Sequence, residues 1–209
     1  MSSRHPGPLS YWYNQLIKRL FDVVFSIIMI VCVLWWVTLI LYVISLFGSR
    51  DGLFFGQQRT CAEGKIFTCL KFRTMRKNPE ADVKQSKKND ARLTRIGKYL
   101  RMLSLDELPQ FINVLRGDMS VVGPRPHMLK HTEDYRKQIK RYMLRHTVKP
   151  GITGLAQVNG YRGEIVHAED LMKRVECDVN YVENWTFALD IKIIFLTAWV
   201  LIRGQQQAY

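Results

Sequence analysis

With 209 residues, the chain is long enough for one compact domain with appendages and too short for two full ones. Lysine and arginine number 31 against 18 aspartates and glutamates, a formal charge of +13 that suits an anionic partner: nucleic acid, anionic lipid headgroups or a phosphorylated substrate. Cys32, Cys61, Cys69 and Cys177 show no C-x-x-C spacing, which argues against a zinc site or disulfide framework and for reduced thiols facing a cytosol.

Residues 1–19 read as a polar entry with a short amphipathic helix in YWYNQLIKR. From Val23 to Phe47, 25 residues pass without a charge, more than the roughly 18 that mark a membrane helix. Lys18 and Arg19 precede the run, Arg50 follows it, and Tyr11, Trp12 and Tyr13 suit a membrane interface. The run is too long for a signal peptide, and no small-residue cleavage site ends it. After the GSRDG break, LFFGQQRTCAEGKIFTCLKFRTM alternates apolar and polar residues around a Glu-Gly turn and predicts a β-hairpin. Between Arg76 and Arg101 the chain is strongly charged, its first half reading as a loop and its second as a basic helix or turn.

From Leu105, apolar residues at 105, 108, 112 and 115 predict one helix face. GDMSVVGPRP reads as a loop, HTEDYRKQIKRYMLRH as a polar helix, VKPGITGLAQVNGY as a glycine-rich apolar loop, and residues 164–183 as a helix. Behind a cap at Asn184, WTFALDIKIIFLTAWVLIRG is a second apolar helix, whose Asp190 and Lys192 favour membrane-surface or core packing over a second span. There is no internal repeat.

The stretch SLDELPQFINVLRGDMSVVGPRP, residues 104–126, admits two accounts. In one, Ser104 and Glu107 form a capping box and the acidic pair complements a helix dipole, with Pro109 most comfortable in the first turn. In the other, the same helix end offers a phosphate site, Asp106 attacks phosphorus as a carboxylate nucleophile, and Glu107 holds Mg²⁺, which favours oxygen ligands beside substrate phosphates. Arg101 lies five residues upstream, and Arg125 sits between two prolines that restrict its backbone and lower the entropy cost of aiming a guanidinium at phosphate. Lys71 and Arg73 in KFRTM alternate on the predicted strand and alone read as solvent-facing. His127, His131, His146 and His167 show no H-E-x-x-H spacing, and no G-x-S-x-G, Walker or G-x-G-x-x-G motif occurs. Cys61 and Cys69 read as packing residues.

Taken in order, KRLFD, KFRTM, TRIGKYLR, SLDELPQFINVLRGDMSVVGPRP, VKPGITGLAQVNG and LDIKIIFLT resemble the bacterial monotopic phosphoglycosyl transferases, the polyprenyl-phosphate sugar-1-phosphate transferases, from about Lys18 to Tyr209. The QAY ending and the helix around Asp190 look more like the larger glucose- or galactose-phosphate-transferring members, which carry a further N-terminal membrane region that these 209 residues do not include. The resemblance implies an α+β fold: an amphipathic entry over 1–19, a membrane-inserted, re-entrant helix over 20–47, and a cytoplasmic, membrane-associated catalytic domain over 48–209 with surface helices and a short β-hairpin. It implies an enzyme of the bacterial inner membrane that moves a sugar-1-phosphate, with glucose-1-phosphate favoured over galactose or an N-acetylated sugar, from a UDP-sugar to undecaprenyl phosphate. UMP is released in two Mg²⁺-dependent steps, as the first membrane step of exopolysaccharide, capsule or O-antigen synthesis. By that likeness Asp106 is the nucleophile, Glu107 the Mg²⁺ ligand, and Lys71, Arg73, Arg101 and Arg125 bind phosphate or substrate; a homodimer is compatible with it.

One feature departs from the family. Its membrane helix is typically broken by a proline, which would fall near residues 34 and 35, where this chain has Leu34-Trp35-Trp36. An unbroken helix from Leu16 to Phe47 would run roughly 48 Å, ample for a ~30 Å core. The expectation is re-entry, with the bend imposed by packing of Asp22 and Ser26 on the globular domain. Two other classes compete. A membrane-anchored nucleic-acid binder would need aromatic residues interleaved with the basic run 84–101, where only Tyr99 occurs, so no nucleic-acid partner is expected. A non-catalytic scaffold is opposed by intact Asp106, Glu107 and Arg125.

Overall fold

A computed structural model describes residues 7–46, 52–77, 90–163, 165 and 168–203. A 3-10 turn over Pro8–Ser10 leads into α1 (Trp12–Met29), which continues through a π-helical turn at Ile30–Leu34 into α2 (Trp35–Leu46). This continuous helix is long and apolar enough to cross a membrane, and only 17% of its most apolar stretch is buried. Its pattern is the reverse of a soluble core helix. The buried face of α1 is polar, at Lys18, Asp22 and Ser26, one turn apart each. The exposed face carries Leu16, Leu20, Val24, Ile28, Val31 and Trp35.

The π-turn lies just before the position where a proline break was expected. The Trp35 N–H reaches back five residues to the Ile30 carbonyl, and the side chains of Trp36 and Thr38 donate to the carbonyls of Cys32 and Leu34 at 2.7 Å each. Such a bulge is one of the recognised causes of a bend, so a proline-free helix has a means of changing direction here. Leu34 at the end of this turn and Val37 and Leu41 of α2 join the same buried cluster as Phe111, Val122 and Ile193.

The hairpin forms as read: β1 (Phe54–Thr60) pairs antiparallel with β2 (Ile66–Phe72), Phe55 opposite Lys71. Its turn runs through Glu63 and Gly64, both at positive φ. The basic segment contains α3 (Arg95–Met102); the predicted loop before it falls largely on residues 78–89, outside the described residues. α4 spans Gln110–Arg116, later than the predicted face. Its buried residues are Gln110, Phe111, Asn113 and Val114, whereas Ile112 and Leu115 are half-buried.

Two segments predicted as loops instead form a parallel pair, β3 (Ser120–Val122) and β4 (Gly151–Thr153). Three-residue strands are too short for alternation to be read. The pairing also depends on close backbone approach: a Cβ on Gly151 would sit 2.1 Å from the Gly123 nitrogen. The polar helix is split: α5 (Leu129–Gln138) ends at extended Ile139, and a 3-10 turn at Tyr142–Thr147 follows, pinned by the fully buried Tyr142. After α6 (Leu155–Val158) come α7 (Ala168–Glu183) and α8 (Phe187–Ile202). The cap of α8 is Thr186, whose Oγ1 accepts from the Leu189 N–H, not Asn184, whose amide donates to the Asn180 carbonyl.

The polar stripe of α1 docks this helix onto three elements. Lys18 pairs with fully buried Asp190 of α8 at 2.6 Å, and Asp190 also accepts from Tyr181 and Trp185. Arg19 donates to the Val114 and Leu115 carbonyls at the end of α4. Asp22 accepts from the Ser120 hydroxyl and the Val121 N–H of β3 at 3.0 and 2.9 Å. The expected contact of Asp22 with the globular domain is therefore present.

Candidate active site

The carboxylate pair sits on a short 3-10 turn, Leu105–Glu107, entered through a left-handed Ser104 (φ 55) and followed by Pro109, the residue before α4. The capping box does not form. Ser104 makes no side-chain cap; its hydroxyl accepts from Arg162 at 2.8 Å. Glu107 turns away from the helix end and accepts from Lys71 at 3.0 Å and from both terminal nitrogens of Arg125 at 2.5 and 3.2 Å. Local pattern allows capping, but two tertiary cations compete for the same carboxylate and a charge-assisted, two-pronged arginine pair is the stronger bond.

Around this pair lies a cavity of about 770 Å³. Each element supplies one wall. Lys71 comes from the end of β2, Arg125 from the loop after β3, and Arg101 from the last turn of α3, where its Nε donates to Thr74 Oγ1 at 2.9 Å. Lys71, Arg101, Asp106, Glu107 and Arg125 thus line one cavity although they are scattered over 55 positions of sequence. Arg73 also lines it, yet its guanidinium donates to the Gly52 and Phe54 carbonyls and lies over Phe55, so it is not brought to the carboxylates. The described lining holds ten lysines and arginines against two carboxylates, an imbalance suited to a multiply phosphorylated ligand.

The two carboxylates differ electrostatically. Burial pushes Asp106 up from its ordinary value, and Glu107 beside it adds to the rise, against the pull of Lys71, Arg101 and Arg125. Burial alone would raise Glu107 too, but Arg125 and Lys71 overcome it and hold the carboxyl well below its usual range. Glu107 is therefore a fixed anion, and Asp106 is a carboxylate with no hydrogen bond or ion pair among the described residues.

Both are hard oxygen donors, and among the described residues no group of three or more His, Cys, Asp or Glu side chains converges as a complete metal cage. That set fits Mg²⁺, which is usually held by one or two carboxylates and completed by water and substrate phosphate.

Sequence reasoning missed Arg162, His127 and the pair Arg145–Asp178. Arg162 directly follows the glycine-rich stretch VKPGITGLAQVNGY, and it lines the cavity. His127 follows Pro126 directly, but only the fold shows that its ring is buried against Tyr142 and Arg145.

Residues 13–204 match the family described as "Bacterial sugar transferase". The chain belongs to that family. It is 50% identical over 188 residues to the UDP-glucose:undecaprenyl-phosphate glucose-1-phosphate transferase of Klebsiella pneumoniae, covering 88% of this chain and 40% of the relative. It is 48% identical over 186 residues to the protein of the same name from Escherichia coli (strain K12), again 88% of this chain and 40% of the relative. It is 38% identical over 208 residues to the undecaprenyl-phosphate galactose phosphotransferase of Salmonella typhimurium (strain LT2), covering 91% and 41%. The chain thus spans about 40% of the length of these curated relatives.

Proposed function

We propose that this sugar transferase moves glucose-1-phosphate from UDP-glucose to undecaprenyl phosphate at a membrane surface. The observation that carries the reading is the unpaired Asp106 carboxylate beside a clamped Glu107 in a cation-lined cavity, in a chain whose relatives bear that activity in their names.

In the first step an oxygen of Asp106 attacks the phosphorus that bears the sugar. The bond from that phosphorus to the bridging oxygen breaks, and UMP leaves with the electron pair. The product is an aspartyl phosphosugar. In the second step a phosphate oxygen of undecaprenyl phosphate attacks the same phosphorus and displaces the carboxylate, forming the lipid diphosphosugar and restoring Asp106. Lys71, Arg101 and Arg125 face the phosphoryl oxygens and stabilise charge that develops there. Glu107, with Asp106 beside it, would hold Mg²⁺, which when bound neutralises diphosphate charge and polarises the phosphoryl group. The apolar outer face of α1 and α2 lies in lipid, and the π-turn with the buried face of α2 favours re-entry into the leaflet it left. The catalytic site then faces cytosolic UDP-sugar while reaching the acceptor phosphate among the headgroups.

The test is UMP release by detergent-solubilised protein with undecaprenyl phosphate, Mg²⁺ and a panel of UDP-sugars. Release with UDP-glucose, lost in Asp106→Asn and on chelation, is expected, together with a mass adduct of one glucose-phosphate when the acceptor is withheld. Full activity of Asp106→Asn would overturn the nucleophile, and preference for UDP-galactose would overturn the sugar.

A further inference from the structure

The loop that presents Arg125 is held from behind. Four consecutive carbonyls of this loop each accept a hydrogen bond: Pro124 from the Gly151 N–H at 2.9 Å, Arg125 from Arg145 at 2.6 Å, Pro126 from Arg59 at 3.2 Å and His127 from the Thr60 N–H at 3.3 Å. The bond to Arg125 differs from the rest because its donor is itself anchored. Arg145 and Asp178 are each 2% exposed, and Arg145 meets Asp178 Oδ2 through Nε at 3.0 Å and through the same Nη2 that donates to Arg125, at 2.8 Å. Its remaining nitrogen, Nη1, lies 2.8 Å from His127 Nδ1 and 3.3 Å from the Tyr142 hydroxyl. A guanidinium has only donors, so His127 accepts at Nδ1 and carries its ring proton on Nε2.

Neither Arg145 nor Asp178 lines the cavity. Packed apolar residues of the same volume would fill their place without desolvating two charges. What an ion pair supplies and an apolar pair does not is a donor aimed at one backbone oxygen. We propose that Arg145, braced by Asp178 of α7, is a positioning residue: through the Arg125 carbonyl it fixes the direction of the Arg125 guanidinium, and so the clamp on Glu107. The line of contact runs from Asp178 to Arg145, to the Arg125 backbone, to the Arg125 side chain, to Glu107. Two prolines restrict the loop's torsions, but they do not set where it stands relative to β2 and the 3-10 turn. At Arg125 itself Arg145 does that, from an element that does not line the cavity.

The inference rests on the transfer reaction proposed above, and its test separates the two. Arg145→Met/Asp178→Leu replaces the pair with apolar side chains, which keeps the packing while deleting the donor. Thermal melting within a few degrees of wild type is expected, together with a loss in kcat for UMP release of about 100-fold, the scale of a misplacement near 1 Å, with KM for the UDP-sugar changed far less. Placed on Arg125→Ala, the same double substitution is expected to add less than about threefold, because the two act through one group. Retained kcat in a normally melting variant, or a full multiplicative loss on Arg125→Ala, would overturn the proposal.

Should the double variant not fold, Asp178→Asn keeps the volume and the guanidinium. It is expected to lower kcat by about tenfold, with Arg145→Lys also impaired because an ammonium lacks the planar fork; wild-type kcat in both would overturn the brace. Hydrogen exchange over residues 120–128 reads the same contact without any turnover. Faster exchange in the folded variants is expected even if wild type releases no UMP with any sugar, a result that would sink the proposed reaction instead. Unchanged exchange would sink the brace.

Discussion

Asp106 and Glu107 are neighbours in the chain and opposites in surroundings, and the difference assigns them different work. Glu107 is a permanent anion because two cations touch it, whereas Asp106 gains no bond to offset burial and its carboxyl is pushed up. In the proposed reaction attack needs the ionised form, so the first half-reaction should slow as pH falls through the raised Asp106 value. An acid limb in single-turnover UMP release without acceptor, lying above the ordinary aspartate pKa of about 3.9, is the expected result; a flat profile down to pH 4 would mean that Asp106 is not the titrating nucleophile. Leaving out the acceptor matters, because its phosphate titrates near pH 6 by itself. Glu107→Gln leaves Lys71 and Arg125 facing a neutral amide, and a loss of more than about 100-fold in kcat is expected, consistent with removal of a group that organises transition-state charge.

His146 gives a stability prediction. Burial, with Arg145 nearby, lowers its pKa to about 4. The folded ring stays neutral while the unfolded ring takes up a proton below about 6.5. Its contribution is therefore fully present above pH 6.5 and is lost as pH falls toward 4, a change on the order of 3 kcal/mol. His146→Gln should flatten that part of the denaturation-midpoint profile, measured from pH 7 to 4.5.

At the level of elements, the position of α3 depends on one glycine. A Cβ on Gly97 would meet the Thr74 carbonyl oxygen at 2.0 Å, and Thr74 is the residue that orients Arg101 through its hydroxyl. Gly97→Ala must push α3 off the strand end, and a fall in UMP release together with a lower melting temperature is expected; unchanged kinetics would show that Arg101 works without that contact. α1 holds the two halves of the site at once, gripping α4 through Arg19 and β3 through Asp22. Asp22→Ala leaves the buried Val121 N–H and Ser120 hydroxyl without their acceptor, a penalty of about 1–3 kcal/mol for each group. Chemical denaturation in detergent should register it, and no change in midpoint would mean that α1 is not tied to the domain through Asp22.

Over the whole molecule, +13 and an apolar helix face belong to one design. In the proposed function, basic surface draws the domain to anionic lipid and draws phosphorylated substrates to the cavity. Both attractions are screened over about 10 Å at 0.1 M salt, so UMP release on anionic vesicles should fall as ionic strength rises, more steeply than on neutral ones. Equal salt dependence on the two surfaces would separate the charge from lipid contact.

The chain by itself determined the apolar helix and the hairpin, because each is written as a run or an alternation long enough to repeat within one element; the α+β class came with the family resemblance. It also brought forward Asp106, Glu107, Lys71, Arg101 and Arg125 through the order of their motifs. The tertiary structure decided the rest. β3 and β4 are three residues each and exist only because backbones meet at Gly123 and Gly151. The choice between cap and clamp at Glu107 was settled by cations 36 and 18 residues away. The bend-permitting π-turn arises without a proline, and the Arg145–Asp178 pair spans 33 positions. Local pattern records which groups are present; which of them share a low-dielectric space, and therefore which charge wins, depends on distances that only the folded chain defines.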